Sequence, residues 1–125
     1  LSFEDRVVAV MNAHLDFIIA KPQLPSFLFM EIFPSTENFK LIKEKASSAL
    51  GSLNTQLKET LESANNNEEI DNISLPMLIS DVVTLNAATA ISSQLATKIL
   101  NITKEEYVAM RKQENEILIR KRLKK

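Results

Sequence analysis

The stretch Leu78-Ile79-Ser80-Asp81-Val82-Val83-Thr84-Leu85-Asn86-Ala87-Ala88-Thr89-Ala90-Ile91-Ser92-Ser93-Gln94-Leu95-Ala96 decides the fold. Val82, Leu85, Thr89, Ser92 and Ala96 recur at three- and four-residue steps and share one helical face. Small side chains on that face let another helix come close. Leu78, Ile79, Val83, Ala90 and Ile91 make the neighbouring faces apolar as well. A helix that is apolar nearly all round has to be covered on nearly every side. In a chain of 125 residues a second copy is a natural source of that cover. Asp81, Asn86, Gln94 and Lys98 interrupt the run and are costly in lipid, so the expectation is a packed helix and no membrane span.

Working outward, Ser74 caps this helix, with Pro76 tolerated in its first turn, and the helix runs over Ser74–Leu100. Asn101-Ile102 is too short a connection for anything but an antiparallel hairpin. Thr103 and Glu106 have capping-box spacing at the start of a last helix, Thr103–Leu123. Tyr107, Met110, Ile117 and Leu118 form one stripe on it, and Val108, Ile119 and Leu123 another.

Towards the N-terminus, Ser2 to about Ala20 reads as a helix with Phe3, Val7, Val10, Met11, His14, Phe17 and Ile18 on one face. Lys21-Pro22 stops it, because the residue before proline is pushed out of the α region. Pro25–Phe33 forms a short helix with Pro25 in its first turn, rich in Phe and Met and expected to be mostly buried. Pro34-Ser35 breaks that helix. Ser35 or Thr36 caps a third long helix running to about Ala64, with Phe39, Ile42, Ala46, Ala49, Leu50, Leu53, Leu57 and Leu61 in one stripe. Gly51 lies within it. The polar run Asn65-Asn66-Asn67-Glu68-Glu69 reads as a mobile loop.

Composition agrees with an all-α fold of about five helices in a single domain, 1–125. Hydrophobic residues make up 45% and charged residues 25% of the chain, as in ordinary globular proteins. One glycine and four prolines leave little turn chemistry for β-hairpins. Fifteen basic and sixteen acidic residues give a formal net charge of −1, no general reason to expect nucleic-acid binding. With no cysteine there is neither a disulfide nor a thiolate metal site, which fits a cytoplasmic protein. The chain enters its first helix at Leu1-Ser2-Phe3 with no initiator Met and no charged-then-apolar leader. That pattern predicts a piece of something longer, without a signal peptide.

Catalytic chemistry is hard to find. There is no glycine-rich phosphate loop, no metal-ligand pair on a helix and only one histidine. No serine stands in a nucleophile context. Glu68-Glu69 and Glu105-Glu106 are explained by solvation and by the helix macrodipole. The chain is expected not to be an enzyme and to hold no cofactor and no metal. His14 sits between Met11 and Phe17, either as a core histidine bonded to a carbonyl or as a polar group in an apolar ligand cavity. Asn86 either fixes register between helices or points at a ligand, Asp81 faces solvent or pairs with a cation, and Thr89 is a small interface residue. The basic tail Arg120-Lys121-Arg122-Leu123-Lys124-Lys125 reads as a solvated helix end, since no base-reading aromatic accompanies it.

The segment Lys21-Pro22-Gln23-Leu24-Pro25-Ser26-Phe27-Leu28-Phe29-Met30-Glu31 resembles a junction common in tetracycline-repressor (TetR/AcrR) family regulators. There one helix ends in a Pro-x-Leu-Pro turn and an apolar helix carrying a Glu follows. The long amphipathic helix, polar loop, apolar helix and Ile102-Thr103-Lys104-Glu105-Glu106-Tyr107 start of a charged last helix follow in the same order. The resemblance implies a C-terminal regulatory domain that binds a small, mostly hydrophobic effector and dimerises through its last two helices in a four-helix bundle. Operator DNA would be bound by an N-terminal helix-turn-helix domain that this sequence lacks. Helical phase suggests Val10, Met11, His14, Phe17, Phe29, Met30, Phe33, Leu53 and Asn86 for the pocket. It suggests Val82, Leu85, Thr89, Ser92, Ala96, Tyr107, Met110, Ile117 and Leu118 for an isologous interface. The alternative is a helical interaction dimer with a filled core and no effector.

Overall fold

The structure, a computed structural model, describes the backbone of all 125 residues and the side chains of all but Phe29 and residues 46–54. Among the described residues every regular element is helical. Helix α1 spans Phe3–Ala20, and the Ser2 side chain accepts a hydrogen bond from Asp5 N at 3.1 Å to cap it. It ends at Lys21, the residue before Pro22, whose backbone has left the α region. The short helix α2, Leu24–Phe27, carries Pro25 in its first turn and continues into a π-helical segment, Leu28–Ile32. Phe33 N donates to Leu28 O across that wider turn at 2.9 Å.

Helix α3, Thr36–Asn66, is capped by Ser35 and runs two residues beyond the end expected from its pattern. Helix α4, Leu75–Ile99, is capped by Ser74, and α5, Lys104–Leu123, by Thr103. Between them Asn101 takes a left-handed backbone (φ 54) that turns the chain back on itself. The Thr103 hydroxyl accepts from Glu106 N and donates to the Glu106 carboxylate, so the expected capping spacing is used.

Helix α4 sits at the centre, packed against both α1 and α5. The main core joins Phe3, Val7, Val8 and Met11 of α1, Leu61 and Ala64 of α3, Leu78 of α4, and Ile119 and Leu123 of α5. Ile70 and Ile73 from the connection between α3 and α4 complete it. By length and composition α4 is long and apolar enough to cross a membrane. In the fold it carries buried Asn86, Thr89 and Ser93, each hydrogen-bonded within the bundle.

Four expectations need correction. The α2 and π-helical stretch is not mostly buried: Ile32 is, but Phe27, Met30 and Phe33 are 50%, 75% and 47% exposed. Among the described residues of the α3 stripe only Leu61 is covered, with Ala64 just beyond it, while Phe39, Ile42 and Leu57 are exposed. Length explains this difference, since 31 residues reach about 46 Å against about 27 Å for the 18-residue α1, so α3 outruns its neighbour. Ala46, Ala49, Leu50, Gly51 and Leu53 fall outside the described side chains.

Nor is the polar connection loose. Asn65 Nδ2 donates to Ile73 O at 2.9 Å while its Oδ1 accepts from Ile73 N at 3.2 Å, which closes the loop like a clasp. Glu69 accepts from Phe3 N, and Asp71 N donates to Leu123 O. The basic tail is tied down as well. Arg120 meets Glu4, Asp5 and Glu116 at 2.9, 2.9 and 3.0 Å, Arg122 meets Asp71, and Lys125 meets Glu68.

Candidate functional site

The lone histidine lies on the flank of α1 and meets the centre of α4. His14 Nδ1 is 2.8 Å from Asn86 Nδ2, and the same amide donates to Met11 O at 2.9 Å. A carbonyl oxygen only accepts, so the amide nitrogen must face Met11, and His14 Nδ1 must then accept the other N–H. The imidazole is therefore neutral and carries its proton on Nε2. Partial burial agrees with this, because it pushes the His14 pKa below its ordinary value. Asn86 is wholly buried, and its Oδ1 meets no donor. An orphaned buried oxygen of this kind is uncommon.

A second buried polar group lies between α4 and α5. Asn115 Nδ2 donates to Thr89 Oγ1 at 3.0 Å, Arg111 donates to Asn115 Oδ1 at 2.6 Å, and Thr89 donates to Leu85 O. Asn115 and Thr89 are both 1% exposed. Ser92 and the Tyr107 hydroxyl are 2.7 Å apart further along the same seam. Neither Asn115 nor Arg111 stood out in the sequence. The available signal was Asn115, Ile119 and Leu123 at four-residue steps, the inner stripe of α5.

Of the residues suggested for a pocket, Met11, His14 and Asn86 come together at one point. Val10 and Phe17 lie beside them on α1 but are 54% and 53% exposed, and Met30 and Phe33 are exposed on the stretch that follows. Phe29 and Leu53 lie outside the described side chains. A groove of about 380 Å³ opens elsewhere, beside Leu1, Arg6, Glu59 and Glu69, and none of the suggested residues lines it.

The residues suggested for an interface divide. Thr89 and Ala96 are buried by the chain's own helices, Val82 and Leu85 pack against its core, and Ser92 and Tyr107 bond to one another. Met110, Ile117 and Leu118 are 50%, 46% and 41% exposed. The uncovered stripe of α4 lies roughly 110° round the helix from the suggested one: Met77, Thr84, Ala88, Ile91 and Leu95, at helical steps of seven, four, three and four. Apolar content could not separate the two faces of α4. The partners of Asn86 and Thr89 do separate them, because buried polar groups turn towards their hydrogen bonds.

Among the described residues no cluster of His, Cys, Asp or Glu is arranged to hold a metal. No family model, curated protein or solved structure matches this chain.

Proposed function

We propose that this chain is the effector-binding and dimerising domain of a TetR/AcrR-like transcriptional regulator in the bacterial cytoplasm. In this reading DNA recognition belongs to a helix-turn-helix domain outside this sequence, and the domain itself has no catalytic role. The observation that carries the proposal is the outer face of the α4–α5 hairpin. Met77, Ile91 and Leu95 of α4 and Met110 and Ile117 of α5 stand in water, although α4 and α5 are well packed on their inner sides. Exposed apolar side chains on both helices of the hairpin suit an interaction site, and an antiparallel helix pair that meets its own copy gives a closed four-helix bundle. The effector side rests on His14 and Asn86, a single polar point beside an apolar flank.

Two measurements test this reading. Sedimentation equilibrium of the chain is expected to give a dimer. Melting in the presence of small hydrophobic compounds is expected to give a concentration-dependent rise in Tm. A dimer whose Tm no such compound moves would support the second reading, a helical interaction dimer without an effector. The exposure of Val10, Phe17, Met30 and Phe33 favours that alternative, because among the described residues these side chains stand open to water. A monomer would remove both readings.

A further inference from the structure

Val10, His14, Phe17 and Lys21 follow one another along α1 and its C-terminal cap at steps of four, three and four. They therefore stand in one line on one flank of the helix. The line is about 16 Å long at the α-helical rise. Lys21 Nζ lies 4.6 Å from the centre of the Phe17 ring, so the cation folds back over the apolar stripe. His14 spends Nδ1 on Asn86, which leaves Nε2–H as the ring's remaining donor. No carboxylate shares the line, and Asp16 beside it is paired with Lys112. The flank thus offers an apolar track, a cation at one end and a neutral hydrogen-bond donor partway along.

We propose that this flank binds a single-chain amphiphile with a carboxylate head and an oxygen function along its chain, a class that sharpens the effector reading and rests on it. The head pairs with Lys21, and the chain lies over Phe17 and Val10. His14 and Lys21 are seven residues apart, about 10 Å along the axis, too far for one head group to use both. The acceptor for His14 Nε2–H is therefore a second oxygen, a hydroxyl or keto group on the chain.

Displacement of Nile red, a neutral apolar dye, from the intact chain provides the test. The competitors are stearic acid, stearyl alcohol and a mid-chain hydroxystearic acid, each below its aggregation concentration. The acid is expected to displace the dye at about fivefold lower concentration than the alcohol, the scale of one ion pair at a surface. The hydroxy acid is expected to gain a further factor of about two to five from one hydrogen bond. Lys21 is exposed, so Lys21→Met keeps the fold; it is expected to erase the acid–alcohol difference. Lys21→Glu should reverse the preference, and His14→Phe should erase only the gain of the hydroxy acid.

Equal displacement by acid and alcohol overturns the carboxylate assignment and, with dye still bound, leaves the effector reading standing. Equal displacement by stearic and hydroxystearic acid overturns the role given to His14. No binding of dye or competitor overturns both this proposal and the effector reading. Association seen only with phosphatidylglycerol vesicles in flotation assigns the stripe to a membrane surface and overturns the proposal.

Discussion

At the scale of single residues, the His14–Asn86 pair makes stability depend on pH in a defined direction. Burial lowers the folded pKa of His14 below its ordinary value of 6.5, and protonation would set two donors face to face. The unfolded chain takes up the proton first as pH falls, so the unfolded state binds more protons below about pH 6.5. His14 therefore imposes no penalty above that pH, and stability declines as pH drops through 6.5 towards the folded value. The midpoint of urea unfolding is expected to fall between about pH 7.5 and 5.5, and to fall less in His14→Phe. Asp5 acts in a different window. Hydrogen bonds from Arg120 and Ser2 hold its carboxyl below 3.8, so what it contributes is lost only under stronger acid. Asn115 gives a second test. Asn115→Ala takes the acceptor from Arg111 and the donor from Thr89 in a buried seam, and urea unfolding is expected to register about 1–3 kcal/mol.

At the scale of elements, what was legible in the sequence was local. Ser2, Ser35, Ser74 and Thr103 each cap the helix that the pattern starts there, because a cap needs only a side chain and an amide three residues on. Pro22 and Pro34 mark breaks for the same local reason. The facing of the helices was not local. Helix α4 presents small and apolar residues all round, so its periodicity is consistent with either face turned inward. Asn86 and Thr89 settle the choice through partners on α1 and α5, which lie 75 and 26 residues away in sequence. The π-helical turn at Leu28–Ile32 also escaped, since its wider hydrogen bonding has no signature in residue type. The two faces of α4 predict opposite mutant behaviour. Ile91→Glu places a charge on the open face and is expected to give a folded monomer by sedimentation and circular dichroism. Thr89→Glu forces a charge into the seam and is expected to lower the melting temperature sharply whatever the oligomeric state.

At the scale of the whole molecule, the fold is closed by its ends. Leu123, two residues before the last residue of the sequence, is fully buried in the main core. Its carbonyl accepts from Asp71 N, and Phe3 N at the other end is held by Glu69. Arg120 links the first turn of α1 to the last turns of α5 through Glu4 and Asp5. This closure explains why the tail reads differently in sequence and in structure. Five basic residues among the last six look like a solvated helix end, but the acids that answer three of them come from Glu4, Asp5, Glu68, Asp71 and Glu116. Most of those acids lie far away along the chain, so no local pattern could have joined them. Two truncations separate charge from packing. Removing Lys124 and Lys125 deletes exposed cations and one surface ion pair, and urea unfolding is expected to change by no more than about 0.5 kcal/mol. Removing Leu123 as well takes a buried leucine from between α1 and the connection after α3 and strands the Asp71 amide. The loss expected there is about 2–5 kcal/mol, the scale of a large-to-small change in a core. If the two truncations cost the same, the tail acts through its charges, and the buried leucine is not what closes the core.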